Sequence, residues 1–193
     1  MTRFSSAGRL LSWMIGLACA FGAAVAAAEE IRITSVDIVP VEEALLLDAD
    51  FDFEFTSRLE DALKQGIPLY FVVEFDLTRS RWYWFDEVVA KRTQKLRLWY
   101  HALTRQYRLS SGNLHQAFES LREAQGALSH LRGWNVAERS QVQADVVYKA
   151  SLRMRLDTTE LPKPFQVSAL ANRDWKLSSD WRRWPFSLLE PAN

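Results

Sequence analysis

In the stretch DADFDFEF, Phe51, Phe53 and Phe55 alternate with Asp50, Asp52 and Glu54. A period of two puts every phenylalanine on one side of an extended chain and every carboxylate on the other. The segment therefore reads as a strand with one dry and one wet face. The same period runs from Ile31-Arg32-Ile33 to Val39, through Phe71, Val73, Phe75 and Leu77, and through Leu96, Leu98 and Tyr100. It returns in Val146, Tyr148, Ala150, Leu152, Met154 and Leu156, where Lys149, Ser151, Arg153 and Arg155 take the other side. A chain with this much alternation is mainly β.

Helical signals interrupt it. Ser57 followed by Glu60 forms a capping box that opens a short helix, which stops at Gly66 before Pro68. From Asn113 to Leu131 the residues Leu114, Ala117, Phe118, Leu121, Ala124, Leu128 and Leu131 fall on one helical stripe, predicting a long helix closed by Gly133. A third short helix or turn is expected over Pro164–Ala171, after the break at Pro162 and Pro164. Seven or eight strands with these insertions predict an antiparallel two-layer β-sandwich with one long inserted helix and one or two short ones. The alternative is a single antiparallel sheet covered by the long helix.

The N-terminus carries Arg3 and Arg9, an uncharged run from Leu10 to Ala28, and Ala26-Ala27-Ala28 before Glu29. This is the pattern of a signal peptide over residues 1–28. It leaves residues 29–193 as one β-rich domain and predicts an exported, periplasmic protein. An anchor retained in the inner membrane through residues 10–28 is the alternative. A lipid-modified Cys19 fits less well, because Gly16-Leu17-Ala18 lacks the branched aliphatic residue expected three positions before such a cysteine. Cys19 is the sole cysteine, so the chain beyond Glu29 has no thiol nucleophile, thiolate metal site or intramolecular disulfide. Loss of Arg3 and Arg9 leaves 22 of the 24 basic residues against 24 acidic ones, a net charge near −2. No overall basic field recruits nucleic acid or anionic lipid.

Four aromatic residues stand together in Arg81-Trp82-Tyr83-Trp84-Phe85-Asp86. On a strand, Trp82 and Trp84 point one way and Tyr83 and Phe85 the other. The preceding run LYFVVEFDL joins this stretch through Thr78-Arg79-Ser80, a hairpin-length connection. The expectation is a central strand pair buried between a second sheet and a helix. The functional alternative gives the Trp82 and Trp84 face to a groove that grips a partner or a ring. In DWRRWPF, Trp181, Arg182, Arg183 and Trp184 form a second candidate interaction surface, which reads equally well as a closing strand clamped by its tryptophans.

Catalytic and metal signals are sparse. Asp48, Asp50, Asp52 and Glu54 lie about 6.6 Å apart along a strand and have no calcium-loop glycine. They read as a solvated edge face, paired laterally with Lys95 and Arg97 or with Arg153 and Arg155. His101 falls on an expected strand, while His115 and His130 fall about four turns apart on the expected long helix, too distant for a zinc-protease pair. No nucleophile elbow, phosphate loop or dinucleotide fingerprint is present. The expectation is a protein that is not an enzyme, with no cofactor, no metal and no catalytic residue. A glycosidase-like carboxylate pair is the residual alternative.

In the C-terminal third, LRMRLDTTELPKPFQVSAL at residues 152–170 followed by DWKLSSDWRRWPF resembles a proteobacterial family of small exported proteins, the domain of unknown function numbered 4390, whose members are often labelled proline-rich or signal-peptide proteins. RWYWFDE and the Tyr100–Gly112 stretch YHALTRQYRLSSG are similar to the family as well. With six prolines the chain is not proline-rich. The resemblance implies no activity, cofactor or catalytic residue. It does imply an association with a nitrogen-regulation-type membrane sensor kinase, whose gene tends to lie nearby. The expected function is thus a non-enzymatic interaction module for an envelope protein, such as the external domain of a sensor kinase. A glycan or small-molecule module with stacking tryptophans, and a carboxylate hydrolase, are the alternatives.

Overall fold

The computed structural model describes residues 30–83 and 85–188. Residues 1–28, read above as a signal peptide, and Trp84 lie outside them. Among the described residues no helix is long and apolar enough to cross a membrane.

Among the described residues nine strands form two antiparallel sheets. The smaller contains β1 (Arg32–Pro40), β2 (Ala44–Asp52) and β7 (His130–Glu138), in the order β1-β2-β7. The larger contains β3 (Leu69–Arg79), β4 (Glu87–His101), β5 (Gln106–Ser111), β6 (Leu114–Phe118), β8 (Tyr148–Leu156) and β9 (Arg182–Phe186). Its order is β6-β5-β4-β3-β8-β9. The expected two-layer antiparallel architecture is present, and it replaces the single helix-covered sheet.

Alternation decides which face each strand buries. Leu45, Leu47, Ala49 and Phe51 of β2 are buried, as are Leu69, Phe71, Val73, Phe75 and Leu77 of β3. The two layers meet through Phe75, whose ring centre lies 6.4 Å from Trp134 of β7 and 6.4 Å from Trp184 of β9. At the far end, Phe53, Phe55 and Phe71 form a second aromatic cluster at 5.5 to 6.1 Å. Burying a side chain of this size contributes about 1.5–3 kcal/mol. A fold whose described residues contain no cysteine depends on this interior.

The helices are shorter than the stripe pattern predicts. Helix α1 (Ser57–Lys64) is capped by Thr56 and not by the expected Ser57–Glu60 capping box: Ser57 is already helical, and the Thr56 hydroxyl accepts a hydrogen bond from the Leu59 N–H at 3.1 Å. Helix α3 (Lys163–Ala171) stands where the Pro162–Pro164 break places it. The expected long helix over Asn113–Leu131 is a correction. Gly112 and Asn113 form a two-residue hairpin turn between β5 and β6, with Gly112 at φ 56°. That conformation belongs to the first central position of such a turn. Only Leu121–Leu128 is helical (α2), capped by Ser120, whose hydroxyl accepts from the Glu123 N–H at 3.2 Å. Gly133 closes no helix. It lies inside β7 where the register with β2 shifts, at φ 62°, and its N–H donates to the Asp48 carboxylate at 2.7 Å.

Candidate functional site

Strand β3 ends at Arg79 and β4 begins at Glu87, so RWYWFD lies on the connection between them and not on a buried strand. This corrects the expectation of a central strand pair. Trp82 is 93% exposed, Tyr83 65% and Phe85 86%. Trp82 and Tyr83 pack edge to face with centroids 5.0 Å apart. Below them Arg81 closes the neck of the hairpin, its Nη2 2.5 Å from Glu87. Trp82 is the one exposed tryptophan among the six described. The loop also frees Tyr83 and Phe85 from the opposite face that a strand would give them, and both join Trp82 in the exposed set. Of Trp84, paired with Trp82 in the groove reading, the described residues say nothing.

The second candidate surface does not hold together as one surface. Trp184 turns inward onto Phe75. Arg182 turns the same way, and its guanidinium donates to the Ile33 carbonyl at 2.7 Å, tying β9 to β1 across the two layers. Trp181 is half-buried with the Arg153 guanidinium 4.6 Å over its ring, and Arg183 points outward. Within DWRRWPF, Arg182–Phe186 is therefore a closing strand, held by the Trp184 ring on Phe75 and by the Arg182 hydrogen bond to Ile33.

The carboxylate row also differs from the expected edge face, because β2 is the middle strand of its sheet. Its partners come from β1 and β7 and not from Lys95, Arg97, Arg153 or Arg155. Asp52 pairs with Arg32 at 2.6 Å. Asp50 accepts from the Ser35 hydroxyl and from Arg132, and lies 2.7 Å from Nδ1 of His130. Hydrogen bonds from Ser35, Arg132 and His130 hold its carboxyl well below the usual carboxylate range. Serine, aspartate and histidine meet here in the wrong order for nucleophilic catalysis. The carboxylate sits between the other two, so the hydroxyl donates to the acid instead of to the imidazole that would activate it. The cluster is a cross-strand clamp. His115 and His130 lie on β6 and β7 and not on one helix. Among the described residues no group of three or more His, Cys, Asp or Glu is placed to hold a metal ion.

Three clefts of about 340, 450 and 640 Å³ open between the layers and at their ends. The first is bounded by Gln94, Leu96, Leu109, His130 and Arg132, and none of the three has a tryptophan in its wall. In the largest, Asp52 and Glu60 are each engaged by a cation, Arg32 at 2.6 Å and Lys64 at 3.5 Å. The exposed hairpin tip thus stands apart from these three clefts, none of which has tryptophan in its wall.

A family model described as a domain of unknown function, DUF4390, matches residues 28–185. The chain belongs to this family. The DUF4390 match runs from just before β1 into β9, so it takes in both sheets, the aromatic hairpin and the closing strand. No curated protein and no solved structure matches the chain.

Proposed function

We propose that this protein is an exported interaction module that docks an envelope protein through the tip of its β3–β4 hairpin. The observation that carries the reading is the exposure of Trp82, Tyr83 and Phe85 together on one short loop. Three large aromatic side chains in water are a standing cost that a partner's pocket removes, and Trp and Tyr are enriched among the residues that dominate binding energy. The salt bridge between Arg81 and Glu87 fixes the neck, which lowers the entropy lost when the tip is gripped. The external domain of a membrane sensor kinase is the first partner to test, on the association that the family resemblance implies. A ring-stacking ligand module has less support, since the three clefts described have no tryptophan in their walls.

The test is affinity purification of the tagged, exported protein from cross-linked envelopes, wild type beside Trp82→Ala/Phe85→Ala. A membrane protein enriched by the wild type and lost with the folded double variant supports the reading. Equal recovery by both defeats it.

A further inference from the structure

The outward face of the six-stranded sheet gathers positive charge that the chain as a whole does not have. Outward residues are those that alternate with the core positions of each strand. Strand β4 contributes Lys91, Lys95 and Arg97, and β5 contributes Arg108. Strand β8 adds Lys149, Arg153 and Arg155, and β9 adds Arg183. Four carboxylates form ion pairs with cations of this face. Glu74 takes Arg153 at 2.6 Å and Arg155 at 3.4 Å, Asp76 takes Lys91 at 3.5 Å, and Glu160 takes Lys95 at 2.7 Å. Asp157 lies 3.6 Å from Arg155. Arg97, Arg108, Lys149 and Arg183 have no ion-pair partner among the described residues. The full chain has 24 basic and 24 acidic residues, so this surplus is segregation of charge and not excess.

Three features describe what the face accepts. It is broad: by register, Arg97 opposite Tyr70 and Lys149 opposite Thr78 stand eight residues apart along β3, about 27 Å at strand rise. No single small anion reaches both. Its aromatic rings are already covered, because the Arg97 guanidinium lies 4.6 Å from the Trp99 ring and 5.8 Å from Tyr70, and Arg153 lies over Trp181. The rings therefore serve as pads that hold guanidinium planes, which offer N–H groups to oxyanions, and they are not free plates for bases or sugars. Finally, the Nε of half-buried Arg108 is itself buried without a hydrogen-bond partner among the described residues.

We infer that this face seats the protein on an anionic phospholipid surface. A pleated face with separated cations and half-buried Trp and Tyr matches a plane of phosphodiester headgroups better than it matches a polymer that needs a groove. The inference stands apart from the docking role of the hairpin, but the two are compatible. With the sheet face on the bilayer, β3 and β4 run parallel to it, and the aromatic tip reaches sideways at the height where a membrane protein's external domain emerges.

The experiment is flotation of the exported protein with phosphatidylcholine vesicles, alone or with phosphatidylglycerol as about a third of the lipid. Arg97→Gln/Lys149→Gln/Arg183→Gln removes three exposed cations from the face. Arg58→Gln/Lys64→Gln/Arg122→Gln removes three exposed cations elsewhere and gives the same net charge. Each cation at the surface is worth about five-fold in affinity, so the face variant should bind phosphatidylglycerol vesicles about one hundred-fold more weakly than wild type. The control variant should bind as wild type does, and high salt should release both. Equal weakening by the two variants would reduce the effect to overall charge and overturn the inference. Binding to phosphatidylcholine alone as strong as to the anionic vesicles would also overturn it. So would capture by soluble polyglutamate with no binding to vesicles, which would give the face to an acidic polymer.

Discussion

Phe75→Ala should be among the most damaging single substitutions in this fold, and its effect can be worked from the interior. Phe75 is fully buried on β3, the strand that pairs with both β4 and β8 in the larger sheet. Its ring touches Trp134 from the smaller sheet and Trp184 from β9. Truncation therefore opens a cavity at the seam where the two layers and the closing strand meet, and indoles cannot collapse into it without tilting their own strands. Burial and cavity effects together give about 3–5 kcal/mol for Phe→Ala in such a site. For a domain of this size 1 kcal/mol moves the melting midpoint by about 2–4 °C, so a fall of about 6–20 °C is expected. Thermal melts by circular dichroism and urea titrations measure it. Phe75→Ala/Trp134→Ala should destabilise by less than the sum of the single changes, since both remove sides of one contact worth about 0.5–1.5 kcal/mol beyond its area. A midpoint within about 3 °C of wild type, or strict additivity, would refute the packing argument.

Ser179→Ala should cost about 1–3 kcal/mol in urea melts, because the buried Ser179 hydroxyl accepts from the Met154 N–H at 3.0 Å and that donor would lose its partner. Trp82→Ala and Phe85→Ala, at exposed positions, should each stay within about 0.5 kcal/mol of wild type, and a large loss in either would return the hairpin to the core. Asp50 has a depressed carboxyl in the folded state, so its stabilising effect is present above the ordinary carboxylate range and is lost as pH falls through that range toward the folded value. The difference in urea midpoint between wild type and Asp50→Asn should accordingly shrink on acidification, and a gap that stays constant would contradict the clamp.

Much of the architecture was legible in the sequence because a strand with one dry face writes its period directly. LYFVVEFDL and the run from Tyr148 to Leu156 lie where alternation puts them, while DADFDFEF keeps its alternating burial but is strand only as far as Asp52. The start of α1 was legible to within one residue, and the proline break before α3 is a local signal of the same kind. Two segments misread because their apolar residues fit more than one period. The stripe from Leu114 to Leu131 satisfies helical spacing, yet the Gly112-Asn113 turn makes a hairpin of its first half. RWYWFD has no period at all, and four consecutive aromatics read as a strand buried on both sides. Its flanking charges, Arg81 and Asp86, were the signal for a loop. The clamp around Asp50 was invisible for another reason: its members lie on three strands, and only the register of β1, β2 and β7 brings Ser35, His130 and Arg132 to one carboxylate.

The proposed role turns on whether the aromatic tip touches another protein in the cell. A photo-crosslinking amino acid at position 83, on the exposed tip, answers this directly when compared with the same group at position 103, which is exposed on the β4–β5 connection. Irradiation of living cells should give a discrete adduct with one membrane protein from position 83 and none from position 103. No adduct from position 83, or the same adduct from both positions, would contradict the assignment of the tip as the docking element.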